Sequence, residues 1–236
     1  MGCINFSDPK PAFERPQSSH SSLVDPRFEH ESCGVGFVAT LTNEPSHDIL
    51  DKALTALARL EHRGAIAADG KSGDGIGIAT GIPRDFLLTS VGLTLPADKP
   101  LAVGVVFCPQ DAAGSGCAAQ AEFEQALAAQ QLTVLAWRDV PIRKEVLGEI
   151  ALSTLPEIRH VLVTAEDLTV SDRRQLNRRL YLARKQFERG QAPLGEKKAY
   201  VCSFSSSNMV YKAMCIGRLL ADFYPDLSDQ IGRAHV

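Results

Sequence analysis

Between Ser46 and Leu60 the apolar residues Ile49, Leu50, Ala53, Leu54, Leu57 and Leu60 recur three or four positions apart. That spacing puts them on one face of a helix, and Ser46 is the residue type that caps one. At Cys33 the pattern has period two: Val35, Phe37 and Ala39 fall on one side of an extended chain, which predicts a buried strand beginning almost at the cysteine. Further strands are predicted at Ile76 to Ile82, Leu101 to Phe107, Leu132 to Trp137, Arg159 to Thr164, Ala199 to Ser205 and Met209 to Cys215. Helices are predicted after Pro83, over the alanine-rich Gly116 to Gln130, and from Ser171 to Gly190 with Leu176, Leu180, Ala183 and Phe187 inward. Such mixed alternation implies layered α and β structure, and no internal repeat interrupts it.

Residues 1 to 32 follow no such pattern. They carry Pro9, Pro11, Pro16 and Pro26 and a Ser-His cluster from Gln17 to Ser22, and they read as a poorly ordered leader. At the other end, one reading frame of a common short-read sequencing adapter translates as the run Ile231 to Val236. Residues 231–236 are therefore expected to be an adapter scar, with authentic sequence ending near Gln230.

Composition narrows the function classes. With 236 residues and 44% hydrophobic side chains the chain can bury a sizeable core. A net charge of -3, from 25 Lys and Arg against 28 Asp and Glu, gives no field that would attract nucleic acid or an anionic membrane. No apolar run approaches the roughly 20 residues of a membrane span, and the first 30 residues lack the apolar centre of a secretory signal. The cytosol is the default compartment, with a plastid as the alternative. The six cysteines include no Cys-x-x-Cys pair, which argues against a metal site or a disulfide framework; Cys108, Cys117, Cys202 and Cys215 read as packing residues. The basic run Arg173, Arg174, Arg178, Arg179, Arg184, Lys185 and Arg189 reads as a solvated helix face, with Tyr181 and Phe187 on or bordering the apolar side.

Cys33 is the candidate for chemistry. A cysteine nucleophile needs a thiolate and a base that takes and returns its proton. A free α-amine, with a pKa of about 7.7 to 8.0, is such a base, so a cysteine at a chain terminus holds both. This design requires cleavage between Ser32 and Cys33. From spacing alone, a small buried strand cysteine is the competing reading.

The segment Phe28-Glu29-His30-Glu31-Ser32-Cys33-Gly34-Val35-Gly36-Phe37 resembles the leader-to-mature junction of glutamate synthase large subunits. A second block, Leu60-Glu61-His62-Arg63-Gly64-Ala65 followed by Asp69 and Ser72-Gly73-Asp74-Gly75, resembles that family's His-Arg-Gly-Ala and Gly-Asp-Gly motifs. Gly73 to Gly77 alone suggests a phosphate loop, but it lacks the lysine and the strand-to-helix order, so nucleotide binding there is rejected. Arg63 has two readings, a fold-holding ion pair with Asp69 or Asp74 and a cation that favours the thiolate. Gly64 is read as letting another backbone approach closely, His62 as structural, and Asp74 as shaping a turn.

The resemblance implies an α+β fold, the four-layer α-β-β-α sandwich of N-terminal nucleophile hydrolases, truncated at the C-terminus, with residues 33–230 a partial type-2 amidotransferase domain. It implies hydrolysis of glutamine to glutamate and ammonia at Cys33, with Arg63, Gly64 and Asp74 supporting the substrate site. The ammonia would convert 2-oxoglutarate to glutamate in other domains of the same polypeptide, which would carry FMN, an iron-sulfur cluster and a supply of electrons from NADPH or ferredoxin, with a small electron-donating subunit as a possible partner. No cofactor is expected within these residues. In the family an Asn-Gly pair supplying oxyanion donors and an arginine holding the substrate carboxylate lie beyond this chain's last residue, so residues 33–230 alone are expected to be inactive. Two other readings stay open: another class II amidotransferase, serving amino-sugar or purine synthesis, and a non-catalytic module of the same fold.

Overall fold

The computed structural model describes residues 34–41, 46–61, 64–109, 118–191 and 199–229. The leader, Cys33, His62, Arg63, Cys117 and the adapter-like run therefore lie outside the described residues.

Helix α1 (His47–Arg59) starts where the pattern places it: Ser46 is extended and its hydroxyl accepts from the Asp48 N–H at 3.3 Å. Strand β1 (Ile76–Gly81) and helix α2 (Arg84–Ser90) follow, then β2 (Ala102–Cys108), α3 (Ala118–Ala128) and β3 (Thr133–Asp139). A five-residue helix α4 (Glu149–Ser153) precedes β4 (Glu157–Thr164), and α5 (Arg173–Gln191) precedes the pair β5 (Tyr200–Ser205) and β6 (Asn208–Ala213). The short helices α6 (Leu220–Phe223) and α7 (Pro225–Asp229) come last among the described residues.

The strands form two antiparallel sheets, one ordered β3-β4-β2-β5 and one pairing β1 with β6. Strand β2 shows the layering in its own alternation. Ala102, Val106 and Cys108 face a core with Phe123, Leu127, Leu176, Leu180 and Phe187 of α3 and α5. Val103 and Val105 face a second core with Ile78 of β1 and Met209 and Tyr211 of β6. Both faces of the central strand are apolar because both are covered. On the outer side of β1, Gly77 and Ala79 look across a groove of about 320 Å³ at Ala53, Ala56, Leu57 and Leu60 of α1. The layers thus run α3 and α5, four-stranded sheet, β1 and β6, α1, which is the α+β sandwich expected.

Two expectations are corrected. Residues 34–40 form no strand, and Val35 and Phe37 are 90% and 91% exposed. A strand needs a ladder partner for its N–H and C=O groups. Among the described residues β1 pairs only with β6, while Gly34 to Val38 line the groove between β1 and α1. On α5, Leu176, Leu180, Ala183 and Phe187 are buried as predicted, but Tyr181 stands 60% exposed with Lys185 over its ring.

Between the sheets lies a polar cluster. Arg138 of β3 makes a two-pronged ion pair with Asp226 of α7, at 2.7 and 2.8 Å, with both side chains below a tenth exposed. The Tyr211 hydroxyl donates to the same carboxylate at 3.2 Å, and Arg138 Nη1 lies 3.4 Å from His160 Nδ1. A guanidinium can only donate, so Nδ1 accepts and the ring proton sits on Nε2, which is buried with no hydrogen-bond partner among the described residues. Burial, then the Arg138 charge, push the His160 pKa down to about 3. The ring is neutral.

Candidate functional site

The His-Arg-Gly-Ala and Gly-Asp-Gly motifs of the second block lie between the C-terminal end of α1 and the start of β1. Past α1, the Gly64 N–H donates to the Glu61 carbonyl at 3.2 Å and closes a turn. The chain then forms a tight loop: Ile66 bridges Gly73, the Ala67 N–H donates to the Ser72 carbonyl at 2.9 Å, and Gly70 takes the left-handed conformation at φ 69°. Asp74 fastens the two limbs, because its Oδ2 accepts from the Ala65 N–H at 2.9 Å. Gly75 at φ 108° turns the chain into β1, a conformation that glycine alone adopts readily.

Asp69 holds the loop tip. Its Oδ1 accepts from the N–H groups of Lys71 and Ser72 at 3.0 and 2.7 Å, and its Oδ2 accepts from the Ser72 hydroxyl at 2.6 Å. The Ser72 hydroxyl bond, then the main-chain bonds, keep the Asp69 carboxyl well below the usual carboxylate range. The tip docks on α4, where the Ala151 N–H donates to Ser72 Oγ at 3.1 Å and the Ile150 N–H reaches Asp69 Oδ2 at 3.4 Å. Gly148 makes the docking possible, since a Cβ there would sit 2.1 Å from Asp69 Oδ2.

Of the residues singled out from sequence, Gly64 and Asp74 are brought together through Ala65, whereas Cys33 and Arg63 lie outside the described residues. Gly34, which follows Cys33, lines the groove that Leu60 and Gly77 also line. The segment leaving the cysteine therefore runs beside Leu60, where the His-Arg-Gly-Ala stretch begins, and beside the start of β1, which follows the Gly-Asp-Gly stretch. The close approach assigned to Gly64 is not seen, as a Cβ there would meet no described atom within 4 Å. Close approaches occur instead at Gly148, at Gly73 beside the Cys215 carbonyl, and at Gly217 beside the Leu57 carbonyl. Sequence reasoning missed all three and the docking of Ser72 on α4; Gly148 and Gly217 stand outside the motifs and carried no signal. Burial pushes the Cys215 thiol up to about 12 and raises that of Cys202, so neither is poised as a thiolate. Among the described residues no three His, Cys, Asp or Glu side chains converge to hold a metal ion. No helix among them is long and apolar enough to cross a membrane.

Residues 33–236 match the family of class-II glutamine amidotransferases, and the chain belongs to that family. It is 41% identical over 207 residues to ferredoxin-dependent glutamate synthase 2 of Synechocystis, covering 85% of this chain and 13% of that protein. It is 37% identical over 215 residues to the NADPH glutamate synthase large chain of Azospirillum brasilense, covering 89% and 14%. With the chloroplastic ferredoxin-dependent glutamate synthase of rice the identity is 39% over 225 residues, covering 93% and 14%. The chain thus spans about one-seventh of the length of these relatives.

Proposed function

We propose that this chain is the glutamine amidotransferase part of a glutamate synthase and that Cys33 is its nucleophile, freed as the first residue by removal of residues 1–32. The observation that carries the reading is the family match beginning at residue 33, with the chain after that cysteine running along the groove between the end of α1 and β1.

In this reading the Cys33 sulfur adds to the side-chain amide carbon of glutamine. The Cys33 α-amine takes the thiol proton and delivers it to the departing nitrogen, so ammonia leaves as the thioester forms. Water then adds to the thioester carbon and releases glutamate and the thiol. Arg63 supplies positive charge near the thiolate, while Gly64 and Asp74 hold the loop that borders the substrate. The ammonia goes to another part of the same polypeptide, where 2-oxoglutarate and two electrons convert it to a second glutamate. FMN and an iron-sulfur cluster in other parts of the polypeptide would supply the redox chemistry, with NADPH or ferredoxin as the electron source and a small electron-donating subunit as partner. The cytosol is the compartment assigned, with a plastid as the alternative on the strength of the chloroplastic rice relative.

The test is glutamine hydrolysis by the full-length gene product. Cys33→Ala should abolish it, and a diazoketone analogue of glutamine should label Cys33 alone. Hydrolysis that survives the substitution sinks the reading; a protein that neither hydrolyses glutamine nor takes the label is a non-catalytic module.

A further inference from the structure

The two motifs of the second block are held by a segment that neither contains. At residues 215–218 the chain leaves β6 and passes between the end of α1 and the glycine-rich loop. The Ile216 N–H donates to the Lys71 carbonyl at 3.2 Å, and the Cys215 carbonyl lies 3.1 Å from where a Cβ on Gly73 would stand. Gly217 packs on the last turn of α1 so closely that a Cβ would stand 2.6 Å from the Leu57 carbonyl oxygen. Arg218 completes the clamp twice over. Its N–H donates to Glu61 Oε1 at 3.0 Å, and its Nη1 donates to Glu61 Oε2 at 2.8 Å. Glu61 in turn supplies the carbonyl that the Gly64 N–H uses to close the turn after α1.

We propose that Arg218 is a positioning residue of the amidotransferase site: through Glu61 it fixes the end of α1, and with it the Gly64 turn, against the loop that carries Asp74. The inference rests on the amidotransferase reading above. Its physical basis is a mismatch between what the contact does for stability and where it acts. The Arg218 side chain is 60% exposed and that of Glu61 21%, and an ion pair this open to water contributes little to folding. Yet it joins two segments far apart in sequence, and Glu61 directly follows Leu60, which lines the groove along Gly34. Displacing a substrate-bordering segment by about 1 Å can cost on the order of 100-fold in rate.

The experiment uses the full-length enzyme and compares Arg218→Ala, Arg218→Lys, Glu61→Ala and the Glu61→Ala/Arg218→Ala pair. Arg218→Ala loses only the side-chain bond, whereas Glu61→Ala loses both. The expected order is a fall in kcat/KM for glutamine of about 10-fold for Arg218→Ala, a larger fall for Glu61→Ala, and no further fall in the pair. The fall should appear chiefly in KM, the melting temperature of Arg218→Ala should stay at the wild-type value, and Arg218→Lys should recover part of the loss. A kcat/KM within twofold of wild type in Arg218→Ala overturns the proposal, as does a loss matched by a lowered melting temperature that Arg218→Lys does not rescue. Cys33→Ala, run alongside, keeps the two claims apart: hydrolysis that survives it removes the amidotransferase reading itself.

Discussion

Gly148 and Gly190 are both glycines beside a carboxylate, with opposite consequences. A Cβ on Gly148 would land 2.1 Å from Asp69 Oδ2 and 2.6 Å from Ser72 Oγ, two atoms already held by hydrogen bonds, so neither yields cheaply. On Gly190 the nearest atom is Glu122 Oε2 at 3.7 Å, ordinary contact distance, inside helix α5. Gly148→Ala should therefore cost about 1 to 3 kcal/mol, the usual range for forced overpacking. Gly190→Ala should be neutral or stabilising, because alanine favours a helix by up to about 1 kcal/mol over glycine. Denaturant unfolding of the two variants checks both; a Gly148→Ala protein as stable as wild type would mean that the loop tip does not dock on α4 as described.

At the scale of elements, the polar cluster between the sheets makes stability depend on pH through His160. The folded-state pKa is about 3, below the usual 6.5, so between these values the unfolded chain binds the proton that the folded one refuses. The contribution is complete above pH 6.5 and is lost as the pH falls toward 3. Asp69 is also depressed, but its share fades only below its ordinary 3.8. The window from pH 6.5 to 4.5 thus reports the histidine. His160→Gln keeps an acceptor for Arg138 without the titration, and its stability should fall less steeply than that of wild type across that window; parallel slopes would contradict the burial of a neutral ring. Elements with strong periodicity, α1 and α5 among them, were legible in the sequence because their spacing alone decides which face is buried, and β2 was legible as an unbroken apolar run. The strand expected after Cys33 was not, since a period-two pattern gives a side-chain preference but not a ladder partner. The helices α4, α6 and α7, at four or five residues, are too short to show a period.

At the scale of the molecule, the candidate site was legible where it consists of contiguous motifs and illegible where it consists of contacts between them. The Cys-Gly-Val-Gly and His-Arg-Gly-Ala blocks pointed to the family that residues 33–236 match. The clamp of Arg218 on Glu61 and the seat of Ser72 on α4 join residues 157 and 79 positions apart. No local pattern announces such pairs.

The central claim, that Cys33 works as an N-terminal residue with its own α-amine as base, is tested most directly by the intact mass and first residue of the active full-length protein. The account predicts a chain that begins at Cys33, with residues 1–32 gone. An active protein that still carries its leader would contradict it.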